Sequence, residues 1–166
     1  LPGEPSLTLT VKGDGTLADF TSDVQLTSDG AERLAGTVTL REAEQTENEI
    51  APTRTFAVDL GGDVTALFLP QYRNFFGEDL CVQADGQRAP DGALTLDSFA
   101  LVAQSLRLGG SVSLDSSGWP LMIDVTGDIA SETGEAVLLP VAGGETAISE
   151  AKLMISYDQA EADLWQ

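Results

Sequence analysis

The chain has 166 residues, which is enough for one domain, and its 27 acidic and 8 basic residues give a formal net charge of −19. Because no stripe of lysine and arginine is present, we expect no nucleic-acid partner, and an anionic membrane surface would repel the chain. With no histidine, the sequence lacks the most common general base and the most common metal ligand, so we expect neither enzymatic activity nor a cofactor.

The first strands show a strict alternation of apolar and polar residues. It runs through Leu7–Val11, Phe20–Leu26 and Leu34–Leu40, with turn sequences at Gly13–Gly15 and Ser28–Gly30. Successive side chains of a strand point to opposite faces, so each of these strands has one apolar and one polar face. The Gly-Asp and Asp-Gly pairs between them are typical of hairpin turns.

A polar, glutamate-rich segment follows at Arg41–Thr53, and we interpret it as a loop or a strand extension. Alternation then resumes over Phe56–Leu60. The single cysteine, Cys81, lies in a later strand pattern between Leu80 and Val82. No internal disulfide is therefore possible, and we expect a structural role for this thiol.

The pattern breaks at residues 64–76, where apolar residues are too dense for an exposed loop. Asp63 is placed to cap a short helix, and Pro70 to begin a second turn. Gly77 is placed to end the element. We predict one short helical insert that covers one end of the apolar face as a plug, with a mobile lid as the alternative.

The longest hairpin is predicted between Leu106 and Ile129, with its turn at Asp115–Pro120. Before it, the parity of the apolar residues changes between Leu96 and Phe99, which indicates a β-bulge. After it, strands are predicted at Val137–Val141 and Leu153–Tyr157, separated by a turn at Gly143 and Gly144.

About ten strands joined by short turns predict an all-β chain, because parallel neighbours would need long crossover connections. We expect a single segment over 1–166. Three architectures are open: a closed sandwich, a closed barrel, and one long, curved, mostly antiparallel sheet folded along its length into a groove. The low aromatic content of 6% favours the groove, since a sandwich core usually needs large rings.

In the groove model, one parity of the strands lines the groove. The predicted lining residues are Val38, Phe56, Val58, Leu106, Leu108, Val112, Leu114, Leu121, Ile123, Val125 and Ile129. For each of them the alternative is an ordinary packed core. In a closed sandwich the chain would be a spacer or an adhesive domain.

Acidic side chains offer two further hypotheses. Asp124 and Asp128 could form a carboxylate pair, but they lie on the outward parity, where solvation explains them. The aspartates in turns could bind calcium, yet none has the spacing of a dedicated calcium loop, and aspartate is also a common turn residue. These turn aspartates are Asp14, Asp29, Asp63, Asp91 and Asp115.

Several stretches resemble the TamB family, the inner-membrane subunits of the translocation and assembly module of Gram-negative bacteria. The opening Leu1–Leu9 and the later Leu34–Val38 resemble its modules, and Leu69–Gly77 resembles the insert between strands in proteobacterial members. A late segment also resembles the family, through Leu138–Pro140 with Gly143–Thr146, and then Ile155–Asp158. The resemblance extends over essentially the whole chain and carries no catalytic signature.

The resemblance implies an elongated, curved sheet, often called a β-taco, that spans the periplasm. TamB-like proteins are anchored in the inner membrane and meet an outer-membrane partner of the Omp85 class, TamA. Their apolar groove is implied to guide phospholipid acyl chains, strands of outer-membrane proteins, or both. Because the chain begins with Leu1, we expect a piece of such a bridge, with the anchor in other parts of the parent protein.

Overall fold

The structure is a computed structural model that describes residues 6–16, 18–43, 51–131, 134–139 and 146–162. Strands dominate these residues, as the alternation predicts. The eleven strands are β1 (Leu7–Gly15), β2 (Asp19–Ser28), β3 (Ala31–Glu42), β4 (Arg54–Gly62), β5 (Leu80–Arg88), β6 (Leu94–Val102), β7 (Leu106–Leu114), β8 (Pro120–Ala130), β9 (Val137–Leu139), β10 (Thr146–Ile148) and β11 (Glu150–Asp158).

Nine strands form one antiparallel sheet in the order β1-β2-β3-β4-β5-β6-β7-β8-β11. β1 and β11 are its two edges, so the sheet is open. The closed sandwich and the closed barrel are therefore wrong for the described part of the chain. β9 and β10 pair with each other in a small second sheet. After them, β11 joins the large sheet and pairs with β8. The predicted positions Val141, Gly143 and Gly144 lie outside the described residues.

The ladder is interrupted by register irregularities, which bend strands locally and increase their twist. One lies in β6 between Leu96 and Phe99, where the parity change predicts a bulge, and it also shifts the register with β5, where Asp85 pairs with Ser98 and Gly86 with Leu96. The other two lie in the β2–β3 and β7–β8 pairs. These local bends are the physical basis for curvature in a sheet of this width.

Aspartate side chains organise the turns. Asp115 accepts hydrogen bonds from the backbone N–H groups of Ser117 at 2.7 Å and Trp119 at 3.0 Å, which closes the β7–β8 turn. Asp29 has a positive φ of 51° and accepts a bond from the N–H of Ser6. Asp115 thus holds the backbone of its own turn, whereas the carboxylate of Asp29 links the β2–β3 turn to the residue before β1.

The predicted helical insert is confirmed and consists of three short pieces. Two 3-10 turns, Thr65–Leu67 and Pro70–Tyr72, precede helix α1 at Arg73–Phe76, and Gly77 ends it with a φ of 67°. The N-cap residue of the first turn is Val64, which makes no side-chain cap bond. Asp63, one residue earlier than expected for the N-cap, caps this end instead by accepting a hydrogen bond from the N–H of Thr65 at 2.8 Å. We call residues 64–77 the plug. A second helix, α2 (Gln159–Ala162), has no counterpart among the predictions.

The plug is fastened to the β6–β7 connection by hydrogen bonds. The N–H groups of Gln104 and Ser105 donate to the carbonyls of Phe76 and Phe75 at 3.0 and 3.1 Å. The hydroxyl of Ser105, which is buried, donates to the carbonyl of Asn74 at 3.3 Å. These bonds link the plug to the sheet at defined positions, which favours a fixed plug over a mobile lid.

The buried core lies around the plug and not along the sheet. Among the described residues, the buried apolar side chains are Val64, Phe75, Ala103 and Val137. Two of these belong to the plug, one to the connection that bonds it, and one to β9, which contacts α1. The rings of Phe68 and Phe76 stack inside this cluster at 3.7 Å.

The accessible surface of the chain is large for its mass. It measures 10856 Å² for 17.4 kDa, whereas a compact monomer of that mass exposes roughly 7,900 Å². Within the described residues, the open sheet contributes to this area, because it leaves both of its faces accessible.

Candidate functional site

The strand register places one apolar row of side chains after another on the same side of the sheet. Val38 lies directly opposite Val58, Val112 opposite Ile123, and Leu106 opposite Ile129. We call this side the apolar face. Its main members are Leu7, Leu9, Val11, Phe20, Val24, Leu26, Leu34, Val38, Leu40, Phe56, Val58, Leu60, Val82, Phe99, Leu101, Leu106, Leu108, Val112, Leu114, Ile123, Val125, Ile129, Leu153, Ile155 and Tyr157.

The remaining predicted lining residues join the same rows. Phe56 is opposite Leu40 and Gly86, and Leu108 is opposite Leu101 and Gly127. In the next rows, Val125 is opposite Gly110 and Ile155, and Leu114 is opposite Leu94. Leu121 lies at the register irregularity of β8, so its alignment with these rows is the least regular.

No predicted lining residue is buried; all eleven are half-buried or exposed. Exposure rises towards the edges of the sheet, where 65% of Leu9 and 45% of Ile155 are accessible. An ordinary core would leave such side chains inaccessible, because apolar residues in a packed interior contact others on all sides. In the described part of the chain, this face is an apolar surface that stays at least partly accessible on all nine strands.

Large side chains lean over glycines of the neighbouring strand on this face. A Cβ atom built on Gly86 would lie 2.8 Å from Cζ of Phe56, and one built on Gly127 would lie 2.8 Å from Cδ1 of Leu108. The absence of a side chain at each glycine thus leaves space for the larger side chain of the neighbouring strand.

The opposite face of the sheet is polar. It carries threonine, serine and aspartate, with cross-strand contacts such as Ser98 to Asp85 and an ion pair of Arg107 with Asp128 at 3.8 Å. Asp124 and Asp128 lie on this face, on β8, which is the neighbour of the edge strand β11. The contrast between the two faces makes the sheet amphipathic across its full width.

The turn aspartates have backbone partners. Asp91 accepts from the N–H of Ala93 and Asp14 from the N–H of Gly15, in addition to the bonds of Asp29, Asp63 and Asp115. Within the described ranges, no three acidic or thiol side chains come close enough to hold a metal ion together. Their positions therefore follow from turn geometry.

The carboxyl group of Asp63 lies beside Thr65 at the start of the plug. The pKa of its carboxyl is lowered, first by the hydrogen bond from the Thr65 hydroxyl and then by that from the Thr65 N–H. Burial opposes this effect, and the positive charges of Arg33 and Arg73 add to it. The ionised carboxylate thus acts as a structural cap for the plug.

Sequence reasoning missed a pair of arginines at the end of the apolar face remote from the plug. Arg54 and Arg88 lie directly opposite each other on β4 and β5. Both line a cavity of about 350 Å³ together with the segment Ala89–Gly92. The sequence could have placed Arg54 on the apolar face, since it precedes Phe56 by two residues in the same strand. The position of Arg88 opposite Arg54 depends on the β4–β5 register.

Comparisons with known proteins leave the family of the chain open. No family model, curated protein or solved structure matches it. In the described ranges, the helices are too short and too polar for any of them to traverse a lipid bilayer.

Proposed function

We propose that the chain is a non-enzymatic segment of a TamB-like bridge, and that its apolar face guides phospholipid acyl chains, strands of outer-membrane proteins, or both. The observation that supports this proposal is the nine-stranded open sheet with one apolar face exposed from edge to edge. A monomeric soluble protein rarely exposes a contiguous apolar surface of more than a few hundred Å² without using it for binding.

Burial on such a face suits a cargo that has to move. Each CH₂ group removed from water contributes about 0.8 kcal/mol, and this gain does not depend on direction or on a specific polar partner. Because the rows from Val38–Val58 to Val112–Ile123 offer similar aliphatic contacts, a chain displaced by one strand finds an equivalent environment. The face therefore holds apolar chains without fixing them at one position.

The width of the sheet matches this use. Nine strands, spaced about 4.8 Å apart, extend over roughly 38 Å. The acyl region of one leaflet is about 15 Å thick, half of the hydrocarbon core of a bilayer. An acyl chain lying across the strands would be covered over its full length, with room for a second chain in line.

The edges of the sheet support a place within a longer structure. β1 and β11 expose Leu9 and Ile155 on the apolar face and have no partner strand on their outer sides within the described residues. An exposed edge of this kind is a template for further strand pairing. In a bridge, further strands would continue both the ladder and the apolar face.

The proposal includes the location and the partners that the resemblance implies. The chain would lie in the periplasm, held at the inner membrane by other parts of the parent protein. An Omp85-class partner such as TamA would meet the parent at the outer membrane. The strongly acidic character of the chain is compatible with this role, because its net charge of −19 keeps the exposed sheet from self-association.

Photo-crosslinking tests the proposal directly. A crosslinking amino acid is placed at Val112, on the apolar face, in the full-length protein in cells. The matched control carries it at the neighbouring Ser113, which points to the polar face of the same strand. We expect phospholipid or nascent outer-membrane protein to be recovered from the Val112 position and not from Ser113. Recovery of neither from a folded Val112 variant would contradict the proposal.

A further inference from the structure

The apolar face ends in an arrangement that is unfavourable for the sheet alone. Arg54 and Arg88 are directly opposite each other on adjacent strands and on the same face. Like charges in this position repel each other and destabilise a strand pair. Residues that break a local rule in this way are often kept for a function.

Arg54 has an ion-pair partner among the described residues, and Arg88 does not. Glu42, the direct partner of Arg54 on β3, lies 3.7 Å from its guanidinium. Among the described residues, no carboxylate forms an ion pair with Arg88. Asp91 lines the same cavity, but its carboxylate accepts the backbone N–H of Ala93.

Other ion pairs of the sheet join one basic residue to one acidic residue. Arg41 lies 3.5 Å from Asp19, and Lys152 lies 3.7 Å from Glu150. Both of these contacts lie on the polar face. Arg54 and Arg88, by contrast, lie on the apolar face, and only Arg54 of the two has an ion pair within the described residues.

The pair is continuous with the apolar face. Two residues further along the strands, Phe56 and Gly86 form the next row, and Leu94 is the partner of Arg88 on β6. The cavity between the arginines measures about 350 Å³, near the lower end of the range for small-molecule sites. A ligand with an anionic head and an apolar tail would find both environments within one strand length.

We propose that Arg54 and Arg88 bind the phosphate of a phospholipid headgroup while its acyl chains lie on the apolar face. Guanidinium groups present planar forks of N–H donors that match phosphate oxygens, and charge-assisted bonds of this kind are strong. A bound phosphate would also remove the repulsion between the two arginines. This inference rests on the proposed function and assigns the lipid a defined orientation, with the head at the end of the sheet remote from the plug.

Equilibrium binding of three probes tests the inference. The probes are a short-chain phosphatidic acid below its micelle concentration, the diacylglycerol with the same chains, and inorganic phosphate. They are titrated by calorimetry into the wild-type chain and the double variant Arg54→Gln/Arg88→Gln. The matched control, Arg41→Gln/Arg107→Gln, removes the same charge from the polar face.

We expect the Arg54→Gln/Arg88→Gln variant to bind phosphatidic acid about tenfold more weakly than the wild-type chain. Its affinity for diacylglycerol should stay unchanged, and the control variant should stay within about twofold for both lipids. Inorganic phosphate alone should bind far more weakly than the lipid. Circular dichroism verifies that each variant is folded, and Arg54→Lys/Arg88→Lys, which keeps the charge but not the fork, should give an intermediate loss.

Three results would overturn the inference. The chain lacks a headgroup site if phosphatidic acid and diacylglycerol bind with equal affinity and the arginine variants have no effect. This result would contradict the inference but not the proposed function. Inorganic phosphate binding as tightly as phosphatidic acid would indicate a site for free phosphate. Binding of neither lipid to the wild-type chain would contradict the proposed function as well.

Discussion

The ring of Phe56 lies over Gly86, its direct partner on the neighbouring strand. A Cβ atom at residue 86 would be 2.8 Å from Cζ of Phe56 and 2.3 Å from the carbonyl oxygen of Thr95. The second contact is with backbone, which cannot move without disturbing the β5–β6 ladder. Glycine is therefore required at this position by packing, on a face that is otherwise open.

We predict that Gly86→Ala lowers the free energy of unfolding by about 1–3 kcal/mol, since the added methyl group overpacks a close backbone approach. Urea denaturation measures the change. The control is Gly61→Ala on β4, where a Cβ atom would meet only the carbonyl oxygen of Leu80 at 3.4 Å. This control should change stability by no more than about 0.5 kcal/mol. Equal effects of the two variants would contradict the packing argument.

Much of this architecture follows from the sequence because a strand has a period of two. Alternation identifies the faces, and the parity change between Leu96 and Phe99 identifies a bulge that the structure contains. Local chemistry also places the plug, through the cap at Asp63 and the positive φ of Gly77. These features depend on neighbours within a few residues.

Other features depend on contacts between distant residues and could not be predicted. Parity identifies the apolar face but does not say whether a second layer covers it. The pairing of β11 with β8, past β9 and β10, is set by tertiary packing. The juxtaposition of Arg54 and Arg88 needs the register of two strands separated by the whole plug. Turn sequences do not fix the register across an insertion of that length.

The plug and the apolar face should respond differently to the same substitution. Phe75 is only 4% exposed, whereas Phe99 lies half-buried on the apolar face opposite Ala84. We predict that Phe75→Ala lowers the free energy of unfolding by about 3–5 kcal/mol, because it removes a ring from a closed core. Phe99→Ala should lower it by about 1 kcal/mol, since that ring is partly accessible to water.

Urea denaturation of the two phenylalanine variants gives the comparison. The pair is matched in chemistry, because each variant loses the same atoms, so the difference reports burial. A loss at Phe99 as large as that at Phe75 would mean that the apolar face is covered in solution. It would also remove the main support for the proposed conduit.

If Arg54 and Arg88 repel each other, a substitution that weakens lipid binding should at the same time stabilise the chain. In Arg88→Glu, the new carboxylate lies directly opposite Arg54, so repulsion becomes attraction across the strands. We predict a rise of about 0.2–1 kcal/mol in the free energy of unfolding, measured by thermal or urea denaturation at low salt. The gain should shrink as salt screens the exposed charges.

The same variant should lose the preference for phosphatidic acid over diacylglycerol, because one of the two guanidinium groups has been replaced by an anion. The control is Arg107→Glu, which places a glutamate directly opposite Asp128 on the polar face. This like-charge pair should lower the free energy of unfolding. If Arg88→Glu is less stable than the wild-type chain, then the two arginines are not in repulsive contact, and the argument for a bound phosphate loses its basis.

The cap of the plug should make its stability depend on pH. The pKa of Asp63 is lowered in the folded chain, chiefly by the hydrogen bonds from Thr65, whereas an unfolded aspartate titrates near 3.9. A lowered folded-state pKa means that folding favours the ionised form. The stabilisation is therefore complete above about pH 3.9 and is lost as the pH falls through the folded-state pKa.

We predict that Asp63→Ala lowers the free energy of unfolding by about 1 kcal/mol near neutral pH, the usual effect of removing a cap. The difference from the wild-type chain should become smaller in acid, and urea denaturation at a series of pH values measures it. Thr65→Val tests the cause, since it removes the hydroxyl donor but keeps the N–H bond at 2.8 Å. That variant should retain only part of the pH dependence. A difference between Asp63→Ala and the wild-type chain that does not diminish as the pH falls below about 3.9 would show that the charge of Asp63 does not stabilise the plug.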